Sequence, residues 1–423
     1  MNVLLSAYAC MPGRGSEPGI GWNWVRQAAR FHDVWVLTHD EGRRVTESAL
    51  AVRPIPRARF IYLDLPAWAR FWKKGRRGAQ LHYYLWQIGA YFKGRRLHRE
   101  VGFDLVHHVT LGKYWMPSFL ALLPVPFIWG PVGGGESTPR AFRSSFSLRG
   151  RLYELARDIA RKLGECDPFV RQTARKAVLG LATTEETAKR MRALGCKRVS
   201  VLSQVGLCRE EIRLLAGLPL RQTTPFRLLS TGRLLHWKGF ELGLRAFAEF
   251  HRYFPTSEYW FAGDGPDRKR LAKLARNLGV TDKVRFWGWL PRQETLAKLA
   301  ECDVLVHPSL HESGGYVCLE AMAAGRPVIC LDLGGPALLV SEETGIKIPA
   351  ISPEQAVRAL ADAMLKLATD PDLRARMAQA ARQRVKEHFS WDRKAILMME
   401  IYRKIANTDT TIIETHPSDA LVS

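Results

Sequence analysis

The stretch HESGGYVCLE, residues 311–320, joins a short apolar segment to a run of helix-forming residues. The apolar segment at 303–308 is typical of a buried strand, and residues 319–324 are typical of a helix. Two glycines lie where loop becomes helix, and the free backbone N–H groups and the dipole of such a helix start favour phosphate. Glu312 and Glu320 bracket the glycines, and carboxylates accept hydrogen bonds from hydroxyls. The stretch therefore predicts either an ordinary loop and helix start or a site for a ligand with phosphates and sugar hydroxyls.

The composition is that of a folded and strongly basic protein. The chain has 423 residues, enough for two domains, and its 47% hydrophobic residues and 34 glycines suit an α/β enzyme. The seven cysteines form no CxxC pair, which indicates free thiols in a reducing compartment and no metal site. The net charge of +22 favours an anionic partner, which could be nucleic acid, a membrane surface or a phosphorylated substrate.

The first half of the chain has the pattern of a parallel α/β domain. A strand at 2–7, a glycine-rich loop at 10–21, a helix at 22–31 and a strand at 34–38 predict the start of a doubly wound sheet. The loop lacks the spacing of a dinucleotide site, so NAD is not expected. The first residues read as this strand because they lack the basic leader of a secretory signal. Polar and glycine positions near strand ends are expected to form an acceptor or cleft rim, namely Glu17, His107, His108, Gly134 and Glu136.

Residues 67–99 form a basic and aromatic stretch that includes Arg76 and Arg77. Apolar residues at helical spacing, rimmed by Trp, Tyr, Lys and Arg, are typical of helices that lie on a membrane surface. An ordinary core helix with a solvated basic face is the alternative. A second basic helix is predicted at 148–163. The apolar segment at 114–132 contains four prolines, so a membrane-spanning helix is not expected there.

The second half repeats the alternation of strands and helices. After a mixed and polar segment, a strand at 226–231 leads into GRLLHWKG at 232–239, and the loop GDGP at 263–266 follows a later strand. Arg233 and Lys238 thus lie just after a strand, where long cationic side chains can reach a ligand. Two α/β halves of similar size imply a cleft between two domains.

Taken together, these motifs resemble the retaining glycosyltransferases of family 4. The resemblance rests on Glu312-x7-Glu320, the two loops just described, the glycine-rich loop after the first strand and FSW at 389–391, and it covers most of the chain. It implies the GT-B fold, an α/β architecture of two Rossmann-like doubly wound domains facing a central cleft. The implied parts are an N-terminal acceptor-binding domain at 1–205, a linker at 206–224, a C-terminal nucleotide-sugar-binding domain at 225–390, a helix at 391–405 that crosses back to the N-terminal domain, and a disordered tail at 406–423.

The resemblance also implies roles for individual residues. Arg233 and Lys238 would neutralise the donor diphosphate. Glu312 would hold hydroxyls of the donor sugar, and Glu320 would accept the ribose hydroxyls. The other donor-binding positions implied are Gly19, Gly21, Gly263, Gly265, Leu290, Ser313, Gly314, Gly315 and Tyr316.

Two stretches depart from the family pattern. The family often carries Asp-x-x-His-x-His, whereas residues 104–109 read DLVHHV, with Val109 at the second histidine position. The catalytic role near the sugar then passes to His108 or is absent, and His107 is as compatible with a structural role. Residues 201–206 read VLSQVG where relatives usually carry Pro-Asn-Gly, which affects the expected linker geometry and not the chemistry.

The implied activity is that of a retaining, metal-independent hexosyltransferase. It would move a sugar from a UDP- or GDP-sugar to a lipid-linked or membrane-associated glycan acceptor in polysaccharide, lipopolysaccharide or glycolipid synthesis. Beyond the donor no cofactor or metal is expected, because the two cations and the helix start supply positive charge. The expected location is cytoplasmic, peripheral on the inner face of an anionic membrane. The alternatives are a sugar-nucleotide epimerase or phosphorylase of the same fold and a basic nucleic-acid-binding protein. No recognised motif supports the last, so nucleic acid is not an expected partner.

Overall fold

The computed structural model describes residues 1–13, 15–70, 72, 78–221 and 224–407. The chain divides into two compact units. The first unit comprises Met1–Gly135, Asp158–Gln204 and Trp391–Ser423, and the second comprises Glu136–Arg157 and Val205–Ser390. The predicted basic residues Arg76 and Arg77, and the predicted disordered tail from 408 onward, lie outside the described residues.

Each unit is built on one parallel sheet. The strands are β1 (Asn2–Ala7), β2 (Asp33–His39), β3 (Ala58–Leu63), β4 (Leu105–Thr110), β5 (Phe127–Val132), β6 (Ala177–Ala182), β7 (Val199–Val201), β8 (Phe226–Thr231), β9 (Ser257–Ala262), β10 (Val284–Gly288), β11 (Val304–His307), β12 (Val328–Leu331) and β13 (Gly345–Ile348).

The α-helices of the described residues surround these sheets. They are α1 (Ser16–Ala28), α2 (Arg43–Val52), α3 (Ala79–Val101), α4 (Leu148–Cys166), α5 (Pro168–Lys176), α6 (Glu185–Ala193), α7 (Arg209–Ala216), α8 (Phe240–Tyr253), α9 (Arg268–Asn277), α10 (Arg292–Ala300), α11 (Tyr316–Ala323), α12 (Gly334–Leu339), α13 (Pro353–Thr369), α14 (Pro371–His388) and α15 (Trp391–Ala406).

Both sheets are doubly wound. The first has the order β3-β2-β1-β4-β5-β6-β7 and the second the order β10-β9-β8-β11-β12-β13. The strand order therefore reverses between β1 and β4 in the first unit and between β8 and β11 in the second. The inner strands are buried on both faces, which explains their continuous apolar runs. In folds of this kind, ligands bind beyond the carboxyl ends of the strands at the reversal point.

Helix α1 begins at Ser16, whereas the sequence predicted a loop as far as residue 21. Gly19 and Gly21 are buried inside this helix. A Cβ on Gly21 would lie 2.2 Å from the carbonyl oxygen of Ala9, so glycine at this position lets α1 pack closely on the chain that leaves β1. Gly21 is therefore a packing position, and both glycines lie in a helix where the sequence had predicted a loop.

The segment predicted as a linker contains helix α7, which belongs to the second unit and packs against α11 and α14. Its start is fixed by the Glu211 carboxylate, which accepts a 2.9 Å hydrogen bond from the backbone N–H of Cys208. Residues 136–157 also group with the second unit, although the sequence-based boundary had placed them in the first domain.

Helix α3 contains most of the predicted aromatic stretch, and it is largely a core element. Tyr83 and Trp86 are fully buried, and the Trp86 indole donates to the carbonyl oxygen of Leu63 at 2.8 Å. Only Leu81, Ile88 and Phe92 among its large apolar residues are exposed. In the described part of the chain, no helix combines the length and the apolar character needed to cross a bilayer. The seven cysteines are free thiols.

Candidate functional site

The reversal point of the second sheet brings together two of the predicted residues. Lys238 follows β8 and Glu312 follows β11, and the Lys238 Nζ lies 2.6 Å from Oε2 of Glu312. The Nε2 of His307, at the end of β11, lies 2.7 Å from the same oxygen. The other carboxylate oxygen accepts a 3.2 Å bond from the backbone N–H of Gly315. Neighbouring strands thus hold a cation and an anion at the edge where an α/β sheet binds ligands.

The Glu312 carboxylate is ionised at neutral pH. Burial by itself would raise its pKa, but the charges of Lys238 and His307 outweigh burial and hold the pKa well below its usual value. Both donors converge on Oε2, so this oxygen has little capacity left for a further bond. Glu312 is therefore an ordered hydrogen-bond acceptor held by its own neighbours.

The start of helix α11 lies three residues after Glu312. Gly315 precedes the helix with φ of +75°, a left-handed conformation that glycine adopts readily, and the helix starts at Tyr316. The first-turn N–H groups of such a helix have no partner within the helix and carry partial positive charge. The predicted phosphate-binding segment Ser313, Gly314, Gly315 and Tyr316 therefore has the local structure expected of it.

Glu320 lies one turn into α11, where it is buried and bound to an arginine that sequence reasoning missed. Arg292, the first residue of α10, reaches Oε1 of Glu320 at 2.8 and 3.1 Å and also Oε1 of Glu211 at 2.7 Å. Burial raises the pKa of Glu320, and the attraction to Arg292 opposes that rise. The position of Arg292, just after β10, was the available signal, but the chain has 63 lysines and arginines and no motif marks this one.

Arg233 and the two predicted donor glycines lie in the loops after β8 and β9. The Arg233 side chain is exposed, and within the described residues it forms no ion pair or hydrogen bond. A Cβ on Gly263 would lie 2.0 Å from the carbonyl oxygen of Gly232, and one on Gly265 would lie 2.3 Å from that of Leu234. These glycines allow the loops to pack against each other. Leu290, after β10, is partly exposed.

Helix α4 contributes a further cluster beside these loops. Oε1 of Glu154 lies 3.1 Å from Nε2 of His311 and 3.2 Å from Nε2 of His236. The two histidines lower the pKa of Glu154, although burial alone would raise it. His311 precedes Glu312 and His236 lies between the two predicted diphosphate cations, but no sequence motif indicated Glu154.

Glu136 is buried in the second unit, next to the start of the predicted phosphate segment. Its Oε2 accepts a 2.6 Å hydrogen bond from the Ser313 hydroxyl, and its backbone carbonyl accepts one from Arg157 at 2.7 Å. The sequence had predicted it as an acceptor or cleft residue of the first domain. The structure instead gives it contacts with Ser313, a predicted donor-site residue.

The two histidines predicted at the rim of the first unit lie inside strand β4, which continues to Thr110. His107 has no exposed surface, and its ring nitrogens lie 2.5 Å from the Tyr402 hydroxyl and 2.5 Å from the Gly130 carbonyl oxygen. These contacts make His107 a residue of the core and not of a cleft. His108 is also buried, and among the described residues its Nδ1 has no hydrogen-bond partner. Burial lowers the pKa of His107 to about 3 and that of His108 to about 4, so both rings are neutral at physiological pH.

The other two rim residues are held by neighbours in the first unit. The Glu17 carboxylate accepts a 2.6 Å bond from the backbone N–H of Gly112, and loss of hydration raises its pKa. Gly134 has φ of +91°, and a Cβ there would lie 2.4 Å from the Trp115 ring. Gly134 is therefore required for close packing.

One group among the described residues has the composition of a metal site. Possible ligand atoms of His39, Asp64 and His82 lie within 4.8 Å of one another. Oδ1 of Asp64 lies 3.2 Å from Nε2 of His39 and 3.0 Å from Nε2 of His82. The Nδ1 of His39 accepts from the Glu41 backbone at 3.3 Å, so its proton belongs on Nε2, facing the carboxylate. The contacts are those of a hydrogen-bonded network that joins two imidazole rings to a carboxylate.

The predicted donor-binding residues that follow β8 lie within a segment that matches a known family. Residues 219–384 match the family described as glycosyl transferases group 1. The match covers less than half of the chain. It includes both predicted diphosphate cations, Arg292 and both carboxylates of the Glu-x7-Glu motif.

Proteins similar to this chain include a synthase and a transferase. A glycogen synthase of Mycobacterium tuberculosis (strain CDC 1551 / Oshkosh) is 35% identical over 182 residues, which is 43% of this chain and 43% of the synthase. An alpha-D-kanosaminyltransferase of Streptomyces kanamyceticus is 28% identical over 353 residues, 77% of this chain and 86% of that protein. The chain therefore spans less than half of the glycogen synthase that it matches.

Solved structures are similar in fold to both units of the chain. Anabaena Alr3699/HepE, crystallised with UDP and glucose, aligns with 96% of this chain and 100% of its own at a TM-score of 0.62 and 17% identity. With two doubly wound parallel units, this likeness shows the GT-B fold, which confirms the fold predicted from the sequence.

Proposed function

We propose that the protein is a glycosyltransferase that moves a sugar from a nucleotide-diphosphate sugar to a lipid-linked or membrane-associated glycan. The observation that carries the proposal is the Lys238–Glu312 pair at the reversal point of the second sheet, beside the first turn of α11. A cation, an ionised carboxylate and free N–H groups are the elements needed to bind a molecule that combines phosphates with hydroxyls. The match of residues 219–384 to the group 1 glycosyl transferases supports the same reaction class.

Departure of a nucleoside diphosphate is the step that needs most stabilisation, because negative charge accumulates on the leaving oxygen. Arg233, Lys238 and the helix start at Gly315 would supply fixed positive potential to that oxygen. The buried Glu320 would accept ribose hydroxyls. Two of the three hydrogen bonds of Arg292 go to Oε1 of Glu320, which would orient the carboxylate and leave Oε2 for the hydroxyls.

Retention of configuration would follow from attack on the face that the diphosphate leaves, without a covalent enzyme intermediate. A covalent route needs a carboxylate nucleophile, and Glu312 is the candidate at this site. Its Oε2 is engaged by Lys238 and His307, and its Oε1 by the N–H of Gly315. These bonds suit a residue that orients sugar hydroxyls.

The test is a product screen with the purified full-length chain. UDP-, GDP- and ADP-sugars would be incubated with lipid-linked and soluble glycan acceptors in the presence of EDTA, and products would be detected by mass spectrometry. We expect one nucleotide series to give a glycosylated acceptor whose new linkage keeps the donor's anomeric configuration by NMR. Epimerised donor without transfer, or turnover that requires phosphate as acceptor, would contradict the proposal. Loss of transfer in EDTA that added Mg²⁺ restores would contradict metal independence.

We further propose that the enzyme works on the cytoplasmic side, peripherally on an anionic membrane, where nucleotide sugars and lipid-linked acceptors meet. The net charge of +22 supports this proposal, since a strongly basic protein is attracted to an anionic surface. Much of the predicted aromatic stretch is core in α3, whereas Leu81, Ile88 and Phe92 of the same helix are exposed.

A further inference from the structure

Helix α4 exposes the face that amphipathic helices usually bury. Its large apolar residues recur every three or four positions along one stripe and are each between 50 and 74% exposed; they are Leu148, Leu152, Leu155, Ile159 and Leu163. We call these five residues the α4 stripe. Because the stripe lies on one continuous helix, helical geometry alone aligns it, over roughly 22 Å at about 1.5 Å per residue.

The opposite face of α4 is buried although it is polar or lacks a side chain. Gly150 packs so closely that a Cβ there would lie 3.2 Å from the His236 ring. Glu154, one turn later, bonds to His236 and His311, and also accepts from the Thr138 hydroxyl at 3.4 Å. Buried polar groups must be paired, and these are. The part of α4 that belongs to the second unit is therefore held by its polar face, which leaves Leu148, Leu152 and Leu155 exposed.

The stripe is not the scatter of single apolar residues that protein surfaces normally show. Burying a leucine side chain is worth about 1.5–3 kcal/mol, so a row of five exposed apolar residues forgoes a large stabilisation. Contiguous exposed apolar surface with a polar rim marks a site for a membrane or another macromolecule. Tyr153 and Phe169, both exposed nearby along the chain, add aromatic surface of the kind found at membrane interfaces.

The charges around the stripe select an anionic surface as its partner. Arg149, Arg151 and Lys162 are exposed on the same helix. Each acidic residue of α4 is paired with a basic group, Asp158 with Arg161 and Glu165 with Arg190, in addition to the Glu154 cluster. The exposed side of α4 is therefore apolar and cationic, with no unpaired acid. A second copy of the chain is disfavoured as the partner, because two molecules with a net charge of +22 repel each other.

We propose that the α4 stripe inserts into the headgroup region of an anionic phospholipid bilayer, with Arg149, Arg151 and Lys162 contacting lipid phosphates. This is how an interfacial helix binds, with apolar burial and electrostatic attraction acting together. The buried face of the same helix touches His311 and His236, which adjoin Glu312 and Lys238. The docked helix therefore supports the loops of the donor site directly and keeps them near the membrane surface.

The proposal names the membrane partner of the proposed glycosyltransferase and rests on that function, but its test requires no turnover. Co-sedimentation would be measured with vesicles of phosphatidylcholine alone and with one third phosphatidylglycerol, for the wild type and for L152D/L155D. We expect the wild type to bind the anionic vesicles, and the double variant to bind at least tenfold more weakly. Both leucines are exposed, so the variant should retain its circular dichroism and melting temperature.

The matched control is Leu214→Asp, which places the same charge on an exposed leucine of α7 in the second unit. It should bind anionic vesicles like the wild type. R149Q/R151Q should weaken binding and reduce its dependence on salt concentration, because electrostatic attraction is screened. Transfer to a soluble acceptor should be unchanged in L152D/L155D, which separates failure of docking from failure of the enzyme.

Three results would overturn the proposal. The first is a folded wild type that ignores anionic vesicles at low salt. The second is vesicle binding that L152D/L155D does not weaken, which would locate the membrane surface elsewhere. The third is a wild type that is dimeric by light scattering and binds no vesicles, together with a monomeric L152D/L155D. That result would make the stripe a contact between copies.

Discussion

Lys238 is the cation most closely tied to the proposed donor site, since its ammonium already contacts the Glu312 carboxylate. Lys238→Ala should lower kcat/KM about 30- to 1000-fold, or about 2–4 kcal/mol, because charge stabilisation of the leaving diphosphate is lost. The measurement is steady-state transfer with the donor found by the product screen. Arg252→Ala, an exposed arginine at the end of α8, is the control and should have wild-type activity. Equal activity of the two variants would remove Lys238 from the mechanism.

Lys394 presents a different case of a single charge, a lysine buried in α15 of the first unit. It donates to the carbonyl oxygen of Ser203, and burial lowers its pKa to about 7. Below this pH the lysine is charged in the folded and unfolded states, and the cost of the buried charge is fully present. Between this pH and the unfolded value of about 10.4, the folded state binds fewer protons, so stability rises with pH.

Lys394→Met should therefore increase the free energy of unfolding most below about pH 7, by at most about a few kcal/mol. The gain should shrink as pH rises towards about 10. There the lysine of the wild type is neutral in the folded state, and removing its proton costs little free energy. Chemical denaturation of both proteins across this range measures the difference. A gain that is the same at all pH values would show that Lys394 does not titrate as its burial implies.

At the scale of elements, the close packing of the loops requires glycine at positions where a side chain would clash with the backbone. The backbone N–H of Leu234, in the loop after β8, donates a 3.0 Å hydrogen bond to the carbonyl oxygen of Asp264, in the loop after β9. The backbone N–H of Gly263 donates to the carbonyl oxygen of Gly288 at 2.7 Å. Such contacts pack the loops of neighbouring strands against each other and support the loop that contains Arg233. The sequence predicted these glycines as ligand residues, and the structure shows in addition that they are needed for packing.

Gly263→Ala should destabilise the second unit by about 2 kcal/mol or more, because the new methyl group would clash with backbone and the residue has φ of +145°. Gly217→Ala is the matched control, since Gly217 has φ of −75° at the end of α7 and its nearest neighbours lie 3.4 Å away or more. Urea unfolding should show a lower midpoint for the first variant only. Equal midpoints would mean that the loops can separate without cost.

The strands were the most predictable elements, and the reason is physical. Buried parallel strands such as β4 and β11 must be apolar on both faces, so they appear as uninterrupted apolar runs. Helix starts were less predictable, because glycine is read as a loop residue even where, as at Gly21, it lies inside a helix for close packing. Which face of α4 is buried could not be inferred at all, because its periodicity gives the stripe but not its direction.

The candidate site was predictable to the extent that its residues lie in motifs. Lys238 and Glu312 were both expected near phosphate and hydroxyls, and the structure places them in contact. Arg292 and Glu154 were missed because their importance comes from contacts between residues 28 and 157 positions apart in the chain. His107 was ambiguous because the sequence does not show that strand β4 runs past it.

At the scale of the whole molecule, the two units have separate hydrophobic cores. One cluster contains Trp86 and Trp129 of the first unit, and the other contains Phe247 and Leu360 of the second. Units with their own cores can unfold independently, so a single two-state description need not hold. The proposed donor site lies wholly in the second unit.

Differential scanning calorimetry should therefore give a calorimetric enthalpy larger than the van't Hoff enthalpy, or two resolved transitions. The nucleoside diphosphate of the true donor should raise only one of them, by about 2.7 kcal/mol of stability at a concentration of about 100 Kd. Gly263→Ala should lower that same transition. A single transition that the nucleotide shifts as a whole would contradict independent cores.

The last helix of the described residues, α15, completes the unit that the first strand begins. Trp391 packs edge-on against Trp24, with ring centroids 5.6 Å apart, and the Tyr402 hydroxyl bonds to His107. During synthesis, the residues of the first unit up to Gln204 leave the ribosome long before these partners exist, whereas the second unit is complete at Ser390. The half of the protein that emerges first is thus the last to obtain all its residues, and a nascent chain that stops short of α15 carries an unfinished core.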